Sequence, residues 1–427
     1  MNGIFTCFSF SRWALLGVVL ISAASPCLAQ TDANGGEWPQ FLGPTRNGIS
    51  SETGLLTEWP SAGPKVVWRV PGGVGMSGFA ISRGRVITLV QRDGKQWVVA
   101  LDAQSGQSQW QTPVAPIYKN GMGNGPRATP AISGNLVFVF TGEGILAALN
   151  FADGKPVWSH NVIDEFQGEI AEYGMASSPL IIGANVVVTA GVSGASVVAY
   201  DTKSGKLAWK SGADAAGYSS PAVLELAGRK QLVVFNGEAA VGLVPETGAQ
   251  LWRFPYETNF NCNIVTPLNF KNRVFLSSGE NHGCVMLSLK GSGDQFQVGE
   301  VWSSQGSQSV LRNEWQTSIL IDGHLYGFDN VGAAGPVTHL TCVNAEDGKR
   351  VWQKLRFGKG NMIAADGKLF ISTMAGELVV VRINSKAFDE IGRMPLIGPT
   401  RQAPALSNGL VYLRDNEEIV CVDVRGK

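Results

Sequence analysis

The chain has 427 residues with 34 basic and 34 acidic side chains, so its formal net charge is zero, and charged residues make up only 16% of it. No basic stripe with interleaved aromatic residues is present, which argues against nucleic acid as a partner. Many glycines, 53 in all, together with few charges are typical of short strands joined by tight turns.

Residues 1–29 differ in composition from the rest of the chain. Arg12 is their only charge, residues 13–24 form an apolar run too short to span a bilayer comfortably, and Ala29 ends a stretch of small residues that suits cleavage. The segment is predicted to be a secretory signal peptide. This predicts an exported protein, in the periplasm, at the outer-membrane periphery or secreted, with no transmembrane segment in the mature chain. A retained membrane anchor is the alternative.

Residues 30–64 are predicted to form an N-terminal arm. Their Trp-Pro pairs, at Trp38 and Trp59, and Phe41 give a loop composition with aromatic anchors. Aromatic side chains are costly to leave in water. We therefore expect an ordered arm that lies across the domain that follows.

From residue 65 onwards the chain repeats one motif, in which a small residue is followed by glycine and then by tryptophan. In the first copy these are Ala100, Gly106 and Trp110. A second signature, counted eight times, has a polar turn, an apolar strand, a glycine turn and a second strand, as in residues 129–140. Self-similarity with a period of roughly 40–50 residues indicates a solenoid or a propeller. Four short strands in each unit predict an all-β fold, an eight-bladed β-propeller of four-stranded antiparallel blades over residues 65–427.

The motif residues are expected to hold the blades together. Glycine ends a tight turn between the third and fourth strands, and the Asp or Asn four residues earlier accepts hydrogen bonds from turn amides. The tryptophan of the outer strand is expected to fill a slot beside a small residue, such as Ala100 or Ala148, of a neighbouring blade. This docking role is assigned to Trp68, Trp110, Trp158, Trp209, Trp252, Trp302 and Trp352, with Gly106, Gly154, Gly205, Gly248 and Gly348.

The two ends of the repeat region complement each other. The last unit ends at residues 419–424 without a tryptophan strand, and residues 65–68 form a tryptophan strand without a preceding partner. Together they are predicted to complete one mixed blade, so that the ring has no exposed edge strand.

Four cysteines remain after the predicted signal peptide: Cys262, Cys284, Cys342 and Cys421. They form neither a CxxC motif nor an adjacent pair, so the sequence leaves their disulfide connectivity open. Free, buried cysteines at strand positions are the alternative, and Cys342 occupies the small-residue place of the repeat.

The repeat resembles the tryptophan-docking repeat of the pyrroloquinoline quinone (PQQ) dehydrogenases and of their non-enzymatic, BamB-like relatives. The resemblance covers residues 65–427 and implies an eight-bladed ring, but no single activity. In the dehydrogenases of this family PQQ lies at the mouth of the funnel with a calcium ion. This chain lacks the adjacent cysteines and the haem-attachment CxxCH that many of those enzymes carry.

Loops before the first strand of each blade, and loops between the second and third strands, are expected to share one face of the ring. On that face Arg127, Tyr173, Trp315 and Arg401 are the candidate ligand-binding residues at the funnel mouth, since cations beside an aromatic ring suit a planar anion or a peptide. The remaining polar residues of these loops are Tyr218, Asn261, Asn263, Asn361, Glu143, Glu238, Glu280 and Glu377. The glutamates recur at one hairpin position, which favours turn chemistry.

The densest polar cluster is residues 280–284, which contain Glu280, His282 and Cys284. Side chains of a hairpin are expected to diverge, whereas a metal site needs converging ligands. No metal ligand and no catalytic residue is therefore assigned.

These patterns predict an exported, non-catalytic binding or scaffold protein whose partner is another protein or a component of the cell envelope. The alternative is a PQQ-dependent oxidoreductase that binds the quinone at the funnel mouth. Whether PQQ and calcium bind stays open at this point.

Overall fold

Short apolar runs and glycine turns fold into 32 strands over the described residues, and these strands pair into eight four-stranded antiparallel sheets. The structure is a computed structural model that describes Met1, Gly3 and residues 36–293, 295–332 and 337–426. The predicted signal peptide lies outside these residues except for Met1 and Gly3. The predicted eight-bladed, all-β fold is confirmed.

Seven blades follow one another along the chain, each with its strands in chain order across the sheet. Blade 1 contains β2 (Ala80–Ser82), β3 (Arg85–Arg92), β4 (Lys95–Asp102) and β5 (Ser108–Pro116); blade 2 contains β6 (Ala131–Ser133), β7 (Leu136–Phe140), β8 (Ile145–Asn150) and β9 (Pro156–Asn161). Blade 3 contains β10 (Leu180–Ile182), β11 (Asn185–Val192), β12 (Ala195–Asp201) and β13 (Leu207–Ser211); blade 4 contains β14 (Ala222–Leu226), β15 (Arg229–Phe235), β16 (Ala239–Leu243) and β17 (Gln250–Pro255). Blade 5 contains β18 (Leu268–Phe270), β19 (Arg273–Ser278), β20 (Gly283–Ser292) and β21 (Gln295–Gln305); blade 6 contains β22 (Ile319–Ile321), β23 (His324–Val331), β24 (Val337–Asn344) and β25 (Arg350–Lys354); blade 7 contains β26 (Gly360–Ala365), β27 (Lys368–Thr373), β28 (Glu377–Arg382) and β29 (Asp389–Pro395).

Blade 8 combines the two ends of the ring. It contains β30 (Ala405–Ser407), β31 (Leu410–Arg414), β32 (Glu418–Asp423) and, as its outer strand, β1 (Lys65–Pro71). β1 pairs antiparallel with β32, and Trp68 lies opposite Cys421. The predicted closure by residues 65–68 and 419–424 is confirmed.

Helical structure in the described residues is limited to short segments. One α-helix, α1 (Val162–Glu165), follows blade 2, and two 3₁₀ turns cover Asn259–Asn261 and Gly306–Gln308. None of these segments has the length and apolar character that a membrane crossing requires.

Apolar side chains are buried mainly between adjacent blades, and the tryptophans connect one blade to the next. The indole N–H of Trp110 in blade 1 donates to the Phe151 carbonyl of blade 2 at 3.1 Å. Gly154 lies flat on the same ring, because a Cβ there would be 2.4 Å from Trp110 Cε3, and its φ of +71° also favours glycine. The same donor geometry joins Trp68, Trp158, Trp302 and Trp352 to the carbonyls of Ala103, Thr202, Ala345 and Asn384.

The expected position of the small residues was wrong. Ala100 lies directly opposite Trp110 within the same sheet, and Ala148 lies opposite Trp158 in the same way. The slot in the neighbouring blade is formed by the glycine turn of the next motif copy instead, since only a residue without a side chain lets the backbone reach the indole face.

Trp252 departs from the docking pattern. Its indole N–H donates to Gln231 Oε1 at 2.6 Å within its own blade. In the sequence of blade 5, Val298 stands four residues before Trp302, where the motif has glycine. Strands β20 and β21 run on as a long hairpin instead. Leu289, Phe296 and Val298 of this hairpin pack against the apolar cluster that contains Trp252.

Residues 36–64 lie against the inner strands and the closing blade. Trp38 bridges to Ile81 of blade 1 by two backbone hydrogen bonds, at 2.9 and 2.7 Å, and is almost completely buried. The guanidinium of Arg46 donates to the carbonyls of Ser178, Pro179 and Pro221, at 2.6–3.1 Å. This segment therefore crosses from the inner strand of blade 1 to those of blades 3 and 4.

The same segment supplies a tryptophan that blade 7 lacks. Gly392 lies opposite Val380 beside a bulge, the place that Trp110 takes opposite Ala100 in blade 1. The side chain of Trp59 covers this glycine, because a Cβ on Gly392 would be 2.2 Å from Trp59 Cγ. Trp59 thus fills, from outside the sheet, the position of a docking residue.

Candidate functional site

A cavity of about 200 Å³ lies where the inner strands of the blades converge. Residues at or just before the first strand of every blade line it: Gly78, Thr129, Ser178, Ser220, Ile264, Thr317, Asn361 and Ala403. Because the first strands run in the same sense around the ring, their preceding loops meet at one end. Phe41 from the N-terminal segment also lines this cavity.

The structure brings the four candidate residues to this one cavity. Arg127, Tyr173, Trp315 and Arg401 all line it. Tyr218, Asn361 and Glu280 from the wider set join them.

The other residues of the wider set lie elsewhere, namely Asn261, Asn263, Glu143, Glu238 and Glu377. Asn263 is fully buried, and its Nδ2 donates to the carbonyls of Asn236, Gly237 and Tyr256. Glu143 accepts from Gln96 Nε2 at 2.7 Å. Position on the same face of the ring is therefore not enough to reach the cavity.

One side of the cavity is aromatic. The rings of Tyr173 and Tyr218 stack with centroids 5.7 Å apart and planes at 29°, and the Tyr173 amide donates to Tyr218 Oη at 3.2 Å. Burial raises the pKa of both phenols. Phe260 extends this surface outwards, with its ring centroid 6.2 Å from that of Tyr173 and its side chain 57% exposed. Its φ of +57° is unusual for a bulky residue.

Trp315 carries cations on the opposite side. The Lys359 ammonium lies 4.3 Å from its ring centroid and the Arg401 guanidinium lies 4.5 Å from it. Lys359 also pairs with Glu314 at 2.6 Å. Arg401 Nη1 donates to the Met122 carbonyl at 2.7 Å. Cations from the approaches to blades 7 and 8 thus contact the ring of Trp315.

Arg127 is held by backbone carbonyls. Its Nη1 and Nη2 donate to Gly125 and Gly123 at 2.6 and 2.7 Å, and its Nε donates to Tyr173. Burial lowers its pKa, and the charge of Arg401 lowers it further, against the raising effects of Tyr118, Tyr218 and Glu143. Arg401 donates to the carbonyl of Met122 and Arg127 to that of the next residue, Gly123, so the two guanidinium groups are near neighbours.

Two carboxylates line the cavity. Glu314 is neutralised by Lys359. Burial raises the pKa of Glu280, and the charge of Glu314 raises it too, while Lys359 acts in the opposite direction. Burial together with a like charge thus favours the protonated form of Glu280.

The polar hairpin 280–284 is split between two environments. Glu280 and His282 both line the cavity, whereas Cys284 does not. Cys284 is buried between sheets, 4.0 Å from Ser309 Oγ. His282 Nε2 accepts from the Asn259 amide at 3.3 Å, and burial lowers its pKa.

Cys262 is a further cavity residue, and its thiol is not activated. Burial raises its pKa to about 12, and the charges of Glu280, Glu172 and Glu314 act in the same direction. The four cysteines are free thiols in the described part of the chain. Cys342 lies opposite Trp352, in the small-residue place of its repeat.

Sequence reasoning missed Phe41, Cys262, Glu314 and Lys359 as parts of this site. Glu314 precedes the candidate Trp315 and could have been found by its position. Lys359 likewise lies two residues before Asn361 on the approach to blade 7. Phe41 carries no comparable signal, because it belongs to the N-terminal arm and reaches the site only through the closed ring.

Within the described ranges, no group of three or more His, Cys, Asp or Glu side chains converges as a metal site. A protein calcium site takes six to eight oxygen ligands, with several carboxylates among them. The cavity offers Glu280 and Glu314, of which Glu314 already binds Lys359. The residues present therefore do not fit a calcium-held quinone.

A protein-family comparison agrees with the fold. The family model described as outer membrane protein assembly factor BamB matches residues 49–194 and 94–354. Among curated proteins, the quinoprotein alcohol dehydrogenase PedH of Pseudomonas putida is 31% identical over 127 residues, which are 26% of this chain and 19% of that protein. The chain thus matches under a fifth of the length of this relative.

Solved structures of two kinds have the same architecture. BamB from Moraxella catarrhalis matches with a TM-score of 0.55 and 15% identity, over 83% of this chain and 98% of that one. The quinohemoprotein alcohol dehydrogenase from Comamonas testosteroni matches with a TM-score of 0.66 and 12% identity, over 92% of this chain and 81% of that one. At these identities the likeness shows the fold alone.

Proposed function

The chain belongs to the PQQ-like repeat family whose model is described as outer membrane protein assembly factor BamB, and on that premise we propose that it is a non-catalytic binding protein of the cell envelope. It holds its partner or ligand at the central cavity and the loops around it. The rigid ring positions these loops, as scaffolds do for recognition surfaces.

The observation that carries this proposal is the state of the polar groups around the cavity. Glu314 is paired with Lys359, and all three nitrogens of the Arg127 guanidinium donate to carbonyls. Cys262 has a raised pKa, whereas an activated thiol nucleophile needs a lowered one. The cavity therefore presents binding groups held in place, without an activated nucleophile.

A protein partner is supported by the surface around the cavity and by the family. Phe260 and Met122 are 57% and 41% exposed beside the opening, and exposed apolar side chains next to polar ones suit a protein contact. The name of the matching family refers to outer membrane protein assembly. Location in the envelope is supported by that name and by the predicted signal peptide.

A quinoprotein oxidoreductase is the second candidate, and the local identity to PedH favours it. The oxygen ligands that the cavity offers to a calcium ion argue against a quinoprotein, because Glu280 is the one lining carboxylate that binds no cation among the described residues. We therefore derive no reaction step through a quinone.

Three measurements test the proposal. The purified chain is incubated with PQQ and calcium, and its thermal unfolding and its reduction of an artificial electron acceptor with ethanol are followed. We expect neither stabilisation nor turnover. Turnover that is lost in Trp315→Ala would establish the oxidoreductase instead. Cell fractionation of the tagged full chain should place it in the envelope, and recovery from the cytosol alone would contradict that part.

A further inference from the structure

Arg401 presents an unused hydrogen-bonding edge at the cavity. Its Nη1 donates to the Met122 carbonyl at 2.7 Å, while its Nε and Nη2 have no hydrogen-bond partner among the described residues. The Nε–H and one Nη2–H point outward along the same edge of the planar guanidinium group, and together they match the two oxygens of a carboxylate. The bond to Met122 therefore holds the group while leaving its two-pronged edge open.

The charges around the cavity leave this edge without a counterion. Neither Arg401 nor its neighbour Arg127 forms a salt bridge with any described residue. Of the two lining carboxylates, Glu314 is bound to Lys359 at 2.6 Å. Glu280 is the remaining one, a single carboxylate beside two guanidinium groups. Two neighbouring guanidinium groups thus face a cavity with too few anions to balance them.

Aromatic side chains form another part of the lining, beside polar ones such as Thr129, Ser178 and Asn361. Trp315 lies under Arg401, with 4.5 Å between guanidinium and ring centroid, and the stacked Tyr173 and Tyr218 form another wall. Phe41 is also part of the lining. At about 200 Å³ the space suits a small ring more than an extended chain.

We infer that the cavity binds a small aromatic monocarboxylic acid, whose carboxylate takes the Nε–Nη2 edge of Arg401 and whose ring lies among Trp315, Tyr173 and Tyr218. This inference rests on the proposed function, since it assumes that the cavity is a binding site. It adds the class of ligand and the residue that recognises it. The aromatic side chains of the lining suit the ring of the ligand, and Arg401 suits its negative charge.

The test is isothermal titration calorimetry of the full chain with benzoate, its neutral analogue benzamide, and inorganic phosphate. Charge-assisted hydrogen bonds are stronger than neutral ones, so benzoate should bind at least about tenfold more tightly than benzamide. Arg401→Gln should remove that preference. Arg401→Lys should retain part of it, because lysine keeps the charge but loses the planar fork. Arg382→Gln is the control, since Arg382 pairs with Asp389 on the outer side of blade 7.

Equal affinities for benzoate and benzamide, or no benzoate binding up to its solubility limit, would overturn the inference. Tighter binding of phosphate than of benzoate would also overturn it, because phosphate lacks the ring. The comparison of ligands on the native chain stands even if Arg401→Gln does not fold. These outcomes are separate from dye-reducing turnover with PQQ, which bears on the proposed function alone.

Discussion

Gly392→Ala should destabilise the native chain, but not a chain that lacks the Trp59 side chain. A Cβ on Gly392 would lie 2.2 Å from Trp59 Cγ and Cδ2, far inside any real contact. Overpacking of this kind costs about 1–3 kcal/mol. The glycine lies in strand β29 outside the left-handed region, so alanine is otherwise favoured there by roughly 0.5–1 kcal/mol.

The partner variant is Trp59→Gly, since the Trp59 Cβ itself would be 2.7 Å from the new methyl group. Trp59 is only partly buried, so removing its side chain should cost less than the about 3–5 kcal/mol of a fully buried tryptophan. Once the ring is gone, Gly392→Ala should become neutral or stabilising. The two substitutions should therefore be coupled by about 2 kcal/mol.

Urea unfolding of the four chains, followed by both circular dichroism and fluorescence, measures this coupling. Gly299→Ala in strand β21 is the matched control, because the nearest atom to its new Cβ is Ser288 Oγ at 3.9 Å. The change in unfolding free energy caused by Gly299→Ala should simply add to the change caused by Trp59→Gly. Additivity within about 0.5 kcal/mol for the Gly392 pair would refute the view that Trp59 occupies the docking position of blade 7.

Three further outcomes are expected. Deletion of β1 (Lys65–Pro71) should lower the melting temperature of the whole ring, and an unchanged melting temperature would contradict closure by this strand. Trp302→Phe should lower the free energy of unfolding in urea by about 1 kcal/mol more than Trp209→Phe does. The reason is that the Trp302 indole N–H donates to Ala345, whereas the Trp209 indole N–H has no partner among the described residues. Equal losses of stability would count against the Trp302 hydrogen bond. Cys262, with a pKa of about 12, should be alkylated by iodoacetamide roughly a thousandfold more slowly at pH 8 than an ordinary thiol, and faster as pH rises toward 12; mass spectrometry showing an ordinary rate at pH 8 would show an accessible thiolate instead.

Much of the candidate site was accessible from the sequence. Arg127, Tyr173, Trp315 and Arg401 were placed at one funnel because each precedes a first strand, and strand direction alone sends those loops to one face. That rule could not separate them from Asn263, which has the same position but is buried against three carbonyls. Side-chain direction within a loop depends on which neighbours can satisfy its polar atoms, and the neighbours come from other blades.

The sequence by itself determined the number of blades and the strand that closes the ring. The blade number and the closing strand both follow from a periodic pattern in which each copy contains the residues of its own turns and strands. They can therefore be predicted without knowing any contact between distant residues. Only the tertiary structure decided what fills each slot between blades. It placed the Gly154 turn on Trp110, Trp59 over Gly392 and Phe41 at the cavity. Trp59 and Gly392 lie far apart in the chain and share no local pattern, and their contact exists only because the closed ring brings the N-terminal segment against blade 7.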